Sequence, residues 1–360
     1  MSDNWEQNEA FYSAILAYLA YLKGRNIFIL SSFSEKMRSY VDWLRQLFVE
    51  SLAKDGKGIF AGVATGIDSI EAVLTSPDDK VFFVFNYAPE SVTLPDYRNR
   101  FNFTVDIHNL NEYIIGQLFI FFEEFTVRLA SLIGIMPLEQ PKVKLIKDEF
   151  KGIAHIVLPK EEITELTLET DTQNKLGREK AKVREVKLSS FVKEFAVQRV
   201  VKDIKDMGIN NLIVIGKRDR TLKARAITMV FAGLKGINVY YFDETKSELI
   251  EDLLRYIGPK RTLIQILTTK EDVTREGLIH YKAVFEWMRG YGGHIIATTD
   301  DTEGAFPEFV EQDGLTKFVL PSNNQVGISG FGFSAHEILP ALMLGLDVKA
   351  LLEGLLNLPG

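Results

Sequence analysis

The strongest constraint on the fold is a regular alternation of short apolar runs and amphipathic segments in the second half of the chain. Runs typical of buried strands occur at 211–216, 237–242, 262–267 and 294–299. Between them apolar residues recur at helical spacing, and the first of these segments predicts a helix over 222–234. Strands joined by helices favour a parallel sheet with right-handed crossovers, because a tight hairpin cannot connect parallel neighbours. This half is therefore predicted to be a three-layer α/β/α sandwich.

The first half carries a similar pattern. One apolar run ends in the polar residues Ser31 and Ser32, another covers 81–85, and helical spacing extends over 34–53 and 111–133. The pattern predicts a second α/β/α sandwich with a mainly parallel sheet. Because ligands bind beyond the carboxyl ends of strands in such sheets, the two serines are candidate contacts. The alternative is that they cap the helix that follows.

The length of the chain indicates two domains. At 360 residues it is longer than one hydrophobic core usually organises. We expect domains at 1–147 and 181–360, joined by a connector at 148–180 that is rich in Thr, Glu and Lys.

Composition and charge exclude several classes of function. The formal net charge of -7 argues against a nucleic-acid-binding surface, which requires a broad basic face. The longest apolar stretch, at 114–135, is interrupted by Glu123, Glu124 and Arg128, so no membrane span is predicted. The first nine residues lack the pattern of a secretory signal. We therefore expect a cytoplasmic protein that binds neither nucleic acid nor membrane.

The residue types available for chemistry are limited. The chain has no cysteine, which excludes disulfides, thiol catalysis and thiolate metal sites. Its five histidines show no metal-ligand spacing, so we expect neither a metal nor a cofactor. They are His108, His155, His280, His294 and His336.

A distinctive motif lies at the end of the helix predicted at 34–53. It reads Glu50-Ser-Leu-Ala-Lys54-Asp-Gly-Lys57-Gly58. This motif resembles the carboxyl-half signature of phosphoglucose isomerases, in which a helix presents a glutamate beside a Gly-Lys-Gly turn. The similarity continues in the same order up to Lys147, so residues 9–147 resemble nearly all of that family's carboxyl half.

Residues 190–357 resemble the amino half of the same family. The matching segments include Ile213-Val-Ile-Gly216, Ala297-Thr-Thr-Asp300 and Leu351-Leu-Glu-Gly354. In the family the Leu-Leu-Glu-Gly run leads into the helix that here begins the chain. The resemblance therefore implies a circular permutation of two sugar-isomerase (SIS-type) domains of flavodoxin-like topology, which close around one cleft.

The resemblance also implies roles for individual residues. Glu50 would be the base that moves a proton between C1 and C2 of a sugar, and Lys147 would assist ring opening. Gln46, Lys54 and Lys57 would shape the pocket. On spacing alone, the pattern favours the alternative in which Glu50 is a surface carboxylate and Lys147 a solvated charge.

The chain departs from the family at three places. Asp68 stands where the family has a histidine, and a carboxylate cannot perform the same proton transfer at neutral pH. Ser329 stands where an arginine stabilises the enediolate. The segment 216–221 lacks the glycine-rich phosphate turn. Ser329 is a candidate substrate contact, with a structural glycine-rich turn as the alternative.

A substituted anion site is nevertheless predicted from two neighbouring strand ends. Arg218, Arg220 and Lys270 supply positive charge there, and Thr268 and Thr269 supply hydroxyl groups. The alternative is that these charges pair with nearby carboxylates in ordinary loops. His336 is a further candidate, either as a replacement for a lost catalytic group or as a structural residue.

Three functions remain open at this stage. The first is an isomerase that interconverts glucose 6-phosphate and fructose 6-phosphate. The second is a non-catalytic or regulatory sugar-phosphate-binding protein, and the third is an enzyme for another sugar. A sugar phosphate is the expected partner in the first two cases. The family implies a possible homodimer, for which the apolar run at 119–125 could supply an interface or simply be core.

Overall fold

The computed structural model describes the parts of the chain that carry both predicted sheets. They belong to one compact unit that combines residues 1–137 with 201–360. The predicted connector and domain boundaries lie outside the described residues. These are 8–32, 34–54, 57–65, 69, 79–87, 101–135, 202, 206, 208–232, 237–242, 247–268, 284, 286–289, 294–299, 316–319, 333 and 335–357.

The first half contains a parallel sheet with order β4-β1-β5-β6 and a short antiparallel hairpin, β2-β3. A 3₁₀ turn at Glu35–Met37 leads from β1 into α2. The elements are α1 (Glu9–Leu22), β1 (Ile27–Ser32), α2 (Arg38–Leu52), β2 (Ala53–Lys54), β3 (Lys57–Gly58), β4 (Phe60–Thr65), β5 (Lys80–Asn86), β6 (Asn102–Asp106) and α3 (Glu112–Ile133).

The second half contains a parallel sheet with order β11-β10-β9-β7-β8. A 3₁₀ turn at Pro259–Arg261 precedes β9. The elements are β7 (Asn211–Ile215), α4 (Arg218–Val230), β8 (Asn238–Phe242), α5 (Ser247–Ile257), β9 (Thr262–Thr268), β10 (Ile295–Thr299), β11 (Thr316–Val319), α6 (Ala335–Met343) and α7 (Val348–Leu356).

The predicted fold class is confirmed: each half has a parallel sheet with flanking helices. Strand β1 shows why, because Phe28 and Leu30 face one side of the first sheet and Ile29 faces the other, and all three are buried. A strand with apolar residues on both faces belongs inside a sheet that is covered on both sides. None of the helices among the described residues is long and apolar enough to cross a bilayer.

Aromatic side chains fill the core between the first sheet and its helices. The ring of Phe83 on β5 lies 5.6 Å from Phe48 on α2 and 5.7 Å from Phe125 on α3, centroid to centroid. The apolar run at 119–125 is thus core and not an exposed interface, since Phe119, Phe122 and Phe125 are all buried in this chain. Edge-to-face contacts of this kind add to the free energy gained by burying the rings.

Local sequence signals determine where α3 begins and ends. The Asn111 side chain accepts a hydrogen bond from the Ile114 amide at 3.0 Å and caps the first turn. Gly134 ends the helix in the left-handed conformation, with φ of 79°, which favours glycine. Helical spacing predicted the helix over 111–133, within one residue of its observed start.

Helix α3 also joins the two halves, because α7 from the second half packs against it. Gly116 of α3 and Gly354 of α7 lie where the two backbones approach most closely. A Cβ added to Gly116 would lie 2.0 Å from the Leu351 carbonyl oxygen, and one added to Gly354 would lie 2.0 Å from that of Tyr113. The crossing therefore requires glycine on both helices.

We expect Gly116→Ala and Gly354→Ala each to lower the free energy of unfolding by about 1–3 kcal/mol, because the helices must separate to admit the methyl group. Urea denaturation followed by circular dichroism measures this change. Glu353→Ala on the exposed side of α7 is the control, and its denaturation midpoint should stay close to that of the wild type. Equal midpoints for the wild type and both alanine variants would contradict the close crossing.

Candidate functional site

The second sheet has a topological switch point between β7 and β9. From β7 the chain proceeds to β8 on one side, whereas β9 is followed by β10 and β11 on the other side. Connections that leave two adjacent parallel strands in opposite directions open a crevice beyond their carboxyl ends. Gly216 to Arg220 follow β7 at this edge, and Thr268 is the last residue of β9.

The strand β7 turns into a helix almost at once. Gly216 packs so closely on β9 that an added Cβ would lie 2.9 Å from the Leu267 Cβ. Lys217 is the N-cap residue, and α4 begins at Arg218, whereas the sequence predicted a helix only from residue 222. The prediction was wrong because it treated the charged segment as a loop, although arginine is a good helix former.

The corrected start of α4 changes the setting of the two candidate arginines. Arg218 is exposed and Arg220 is half-buried, and both lie in the first helical turn. The amide groups of Arg220 and Thr221 donate to the Lys217 carbonyl oxygen at 2.9 and 3.1 Å. The start of a helix carries positive partial charge, so this turn combines two guanidinium groups with a backbone field that favours anions.

The predicted base, Glu50, lies in the last turn of α2. The Gln46 side-chain amide donates a hydrogen bond to Glu50 Oε1 at 2.7 Å, and both side chains are half-buried. This contact spans i to i+4, the separation at which helical side chains meet. The sequence-predicted pair is therefore brought together, and Gln46 fixes the orientation of the carboxylate.

The hairpin after Glu50 closes onto the end of α2. Lys54 on β2 pairs with Lys57 on β3, and the Ile59 amide donates to the Leu52 carbonyl oxygen at 2.9 Å. Gly58 has φ of 104°, and an added Cβ would overlap the Leu52 carbonyl oxygen. The glycine in the motif is thus required by the close return of the chain, and it places Lys54 immediately after the helix that carries Glu50.

Glu50 and the predicted serine contacts lie at opposite edges of the first sheet. Helix α2 starts near the carboxyl end of β1, which ends at Ser32, and it finishes beside the amino end of β4. There the Phe60 amide donates to the Asn26 carbonyl oxygen at 2.9 Å. Ser32 Oγ accepts from the Ser34 amide at 3.1 Å, which stabilises the turn before α2. The structure therefore does not bring the serines to Glu50.

The face of α2 that carries Glu50 is turned towards α4. The two helices pack directly against each other. Trp43, Gln46 and Glu50 recur at i, i+3 and i+7, so they share one side of α2. The Trp43 ring on this side lies 5.9 Å from the Lys223 ammonium of α4. The helix with the candidate base and the helix with the candidate anion ligands are therefore in contact through these faces.

A buried ion pair joins α4 to α3 at the same place. Lys223 Nζ donates to Glu123 Oε1, and the two side chains are 3% and 1% exposed. Burying two charges costs several kcal/mol per ion, which their attraction offsets only when the geometry is good. The pair therefore favours one particular arrangement of α3 against α4.

Aromatic rings complete the surroundings of Lys223. Its ammonium lies 5.6 Å from the centroid of Phe119 and 5.5 Å from that of Phe333, in addition to the contact with Trp43. Ring faces attract a cation, and the attraction increases when water is excluded. On the other side of the pair, burial and the negative charge of Glu123 raise the pKa of Tyr40 well above its ordinary value. Tyr40 thus stays a neutral phenol.

Sequence reasoning missed this pair. Glu123 was noted only as a charge that interrupts an apolar stretch, and Lys223 was not singled out. The available signal was a pair of carboxylates flanked by phenylalanines in a helix that must pack against a sheet. That signal shows that a partner is needed but not which residue supplies it, because the two side chains are a hundred positions apart.

Of the remaining candidates, one is buried in a helix and the others lie outside the described residues. His336 is buried in α6, which packs against α4. Five predicted residues lie outside the described residues and stay predictions. They are Asp68, Lys147, Thr269, Lys270 and Ser329.

Comparisons with known proteins give a partial sequence match. A glucose-6-phosphate isomerase of Thermus thermophilus is 30% identical over 151 residues, which cover 41% of this chain and 35% of that protein. The enzyme of Bacillus thuringiensis strain Al Hakam is 28% identical over 180 residues, which cover 39% of this chain and 40% of that protein. The predicted resemblance to this family is confirmed over that part of the chain.

The match has clear limits. The chain spans well under half the length of the curated relatives it matches. No protein-family model matches it. Among solved structures, the C-terminal domain of glucosamine-fructose-6-phosphate aminotransferase from Francisella tularensis is 12% identical, with a TM-score of 0.48 over 97% of this chain and 94% of that one.

Removing one member of the buried pair should be strongly destabilising. We expect Glu123→Leu and Lys223→Met each to lower the free energy of unfolding by about 3–5 kcal/mol, because the remaining charge is left buried and unpaired. The double variant should recover most of this loss, and urea denaturation of all four proteins gives the coupling free energy.

The exposed pair Glu35 and Arg38 supplies the control, since both side chains are mostly in water. Arg38→Met should leave the urea midpoint unchanged. Additive losses in the Glu123→Leu/Lys223→Met double variant would show that the two buried charges do not depend on each other.

Proposed function

We propose that this protein is an aldose-ketose isomerase that acts on a sugar phosphate, with glucose 6-phosphate and fructose 6-phosphate as the substrate pair. The observation that carries the proposal is the packing of α2 on α4, which joins the helix of the candidate base to the helix of the candidate anion ligands. The partial similarity to glucose-6-phosphate isomerases supports the choice of reaction.

Glu50 is the residue proposed to move the proton. Its carboxylate would remove the proton at C2 of the open-chain aldose while O1 gains a proton, which gives an enediol. It would then return the proton at C1 while O2 loses its hydroxyl proton, which gives the ketose. The hydrogen bond from Gln46 holds one carboxylate oxygen, and the final turn of a helix restricts the motion of the side chain. Such fixed geometry favours proton transfer because the reacting atoms are already aligned.

The phosphate group is proposed to bind at the start of α4. Arg218 and Arg220 can each offer several donors to phosphate oxygens, and Thr268 ends the adjacent strand. Thr269 and Lys270 follow it in the chain and extend the proposed site. Arginine side chains would then replace the glycine-rich turn that the family uses. Lys147, Lys54 and Ser329 remain proposed contacts to the sugar.

The order of the two halves is proposed to be a circular permutation. Helix α1 from the start of the chain and α7 from its end both pack against α3. In the family's order, α7 would lead directly into α1, and both helices already pack against α3. Reordering at such a connection preserves the packing of the halves, and with it a site shared by α2 and α4.

The second candidate is a sugar-phosphate-binding protein without catalytic activity. Asp68 and Ser329 favour it, because they replace the histidine and the arginine expected at those positions. An anion site built from Arg218 and Arg220 would still capture the ligand. Calorimetric binding of fructose 6-phosphate without turnover would support this candidate and reject the first, whereas absence of both would reject the two together.

We expect Glu50→Gln to reduce kcat for fructose 6-phosphate isomerisation by about 10²–10⁴-fold, since the amide cannot accept the proton. A coupled assay of glucose 6-phosphate formation measures the rate. Glu35→Gln, in the exposed 3₁₀ turn that precedes α2, is the matched control and should retain wild-type kcat. Equal rates for the wild type and Glu50→Gln would exclude Glu50 as the base.

We expect Arg220→Ala and Arg218→Ala to raise KM for fructose 6-phosphate by about tenfold or more each, because a charge-assisted contact to phosphate is lost. The same variants should weaken competitive inhibition by inorganic phosphate. Arg261→Ala is the matched control, since Arg261 is exposed at the amino edge of the same sheet. An unchanged KM in both variants would place the phosphate elsewhere.

A further inference from the structure

Helix α4 is held by two buried polar contacts at different distances from its start. Near the start, the Lys223 ammonium donates to Glu123 of α3, and both side chains are almost fully buried. Near the end, the Thr228 hydroxyl donates to the Ala224 carbonyl oxygen at 2.9 Å. The same hydroxyl oxygen therefore accepts from the Tyr241 hydroxyl of β8, at 2.6 Å. The two contacts attach α4 to different neighbours, one a helix and the other a strand.

Of these two contacts, the one at Lys223 is much closer to the proposed phosphate site. Lys223 lies three residues after Arg220, which is about 4.5 Å along the helix axis, and residues at this spacing are neighbours on one side of a helix. Thr228 lies eight residues after Arg220, about 12 Å along the axis. A shift of α4 at Lys223 is therefore transmitted directly to the Arg220 guanidinium, whereas Thr228 is remote from it.

Groups from several elements fix the position of the Lys223 ammonium. The ring centroids of Trp43 on α2 and Phe119 on α3 lie 5.9 and 5.6 Å from it, and that of Phe333, just before α6, lies 5.5 Å away. A lysine side chain is normally flexible, but rings on separate elements and one carboxylate restrict this one to a single place. The turn of α4 that carries Lys223 is therefore aligned with both α2 and α3.

Charge explains why Lys223 is not itself a candidate anion ligand. The segment 217–225 contains five basic residues and one acidic residue. Like charges at a spacing of three residues repel each other on a helix, as those of Arg220 and Lys223 do. Glu123 supplies the countercharge for Lys223 inside the protein. A bound phosphate is therefore left to the residues at the start of the helix.

We propose that Glu123 and Lys223 are positioning residues for the proposed phosphate site, because they hold the first turns of α4 at a fixed place beside α2. Their side chains are too deeply buried to contact a phosphate group, so they act on it through Arg220. This inference rests on the proposed function and adds two residues on which the affinity for a phosphate group depends.

Isothermal titration calorimetry with inorganic phosphate, at fixed ionic strength, tests this inference. The Glu123→Leu/Lys223→Met double variant should keep a urea midpoint close to that of the wild type, because apolar side chains replace both charges. It should still raise the dissociation constant for phosphate by about three- to tenfold, since small displacements of α4 weaken a charge-assisted contact. The variant removes one charge of each sign, so the net charge that attracts phosphate is unchanged.

Tyr241→Phe is the matched control, because it removes the buried hydrogen bond at the far end of the same helix. It should lower the urea midpoint, since Thr228 loses a donor, and leave the dissociation constant for phosphate at the wild-type value. A purely structural role of Glu123 and Lys223 predicts a different pattern, in which the phosphate affinity of each variant follows its urea midpoint.

Arg220→Ala separates failure of this inference from failure of the proposed function. If Arg220→Ala weakens phosphate binding but the double variant binds as the wild type does, the two buried residues do not position the site. Equal losses of affinity in the double variant and in Tyr241→Phe would also overturn the inference. A wild type that binds no phosphate, or binds it as tightly as Arg220→Ala does, rejects the proposed phosphate site and this inference with it.

Discussion

The arrangement of this protein depends on the buried ion pair between Glu123 of α3 and Lys223 of α4. Charges with so little access to water are tolerated only in direct contact, so any displacement of one helix along the other is opposed by the cost of an unpaired buried charge. The rings around the ammonium add attraction in the same position. The pair therefore determines how α3 and α4 are aligned along each other, whereas apolar burial supplies most of the free energy of folding.

That register has a direct consequence for the candidate site. Arg220 precedes Lys223 by three residues, so the two lie on neighbouring parts of the same side of α4. On α2, Trp43 contacts Lys223, and Gln46 and Glu50 follow on the same side. Fixing Lys223 thus constrains both the guanidinium of Arg220 and the helical face that presents the carboxylate. A positioning function explains why the costly buried charge of Lys223 on α4 is placed where it contacts both Glu123 of α3 and Trp43 of α2.

The sequence predicted the elements well and their association poorly, for a physical reason. Strand β5 and helix α3 carry their own signals, namely an apolar run and an Asn cap followed by a terminal glycine, and both were located within one residue. The start of α4 was misplaced because charged residues suggest a loop when their tertiary neighbours are unknown. The Glu123 and Lys223 pair is a property of two distant helices, so no local pattern reports it.

The position of Glu50 does not follow from the rule that ligands bind beyond the carboxyl ends of parallel strands. That rule applies to the carboxyl edge of one sheet, where Arg218 and Arg220 follow β7. Glu50 lies at the opposite, amino edge of the other sheet, because α2 runs back along the first sheet before it ends. Neither half contains both the carboxylate and the arginines. The chemistry proposed for this chain therefore needs contact between α2 and α4, and the packing of those two helices matters more than the order in which the halves occur along the chain.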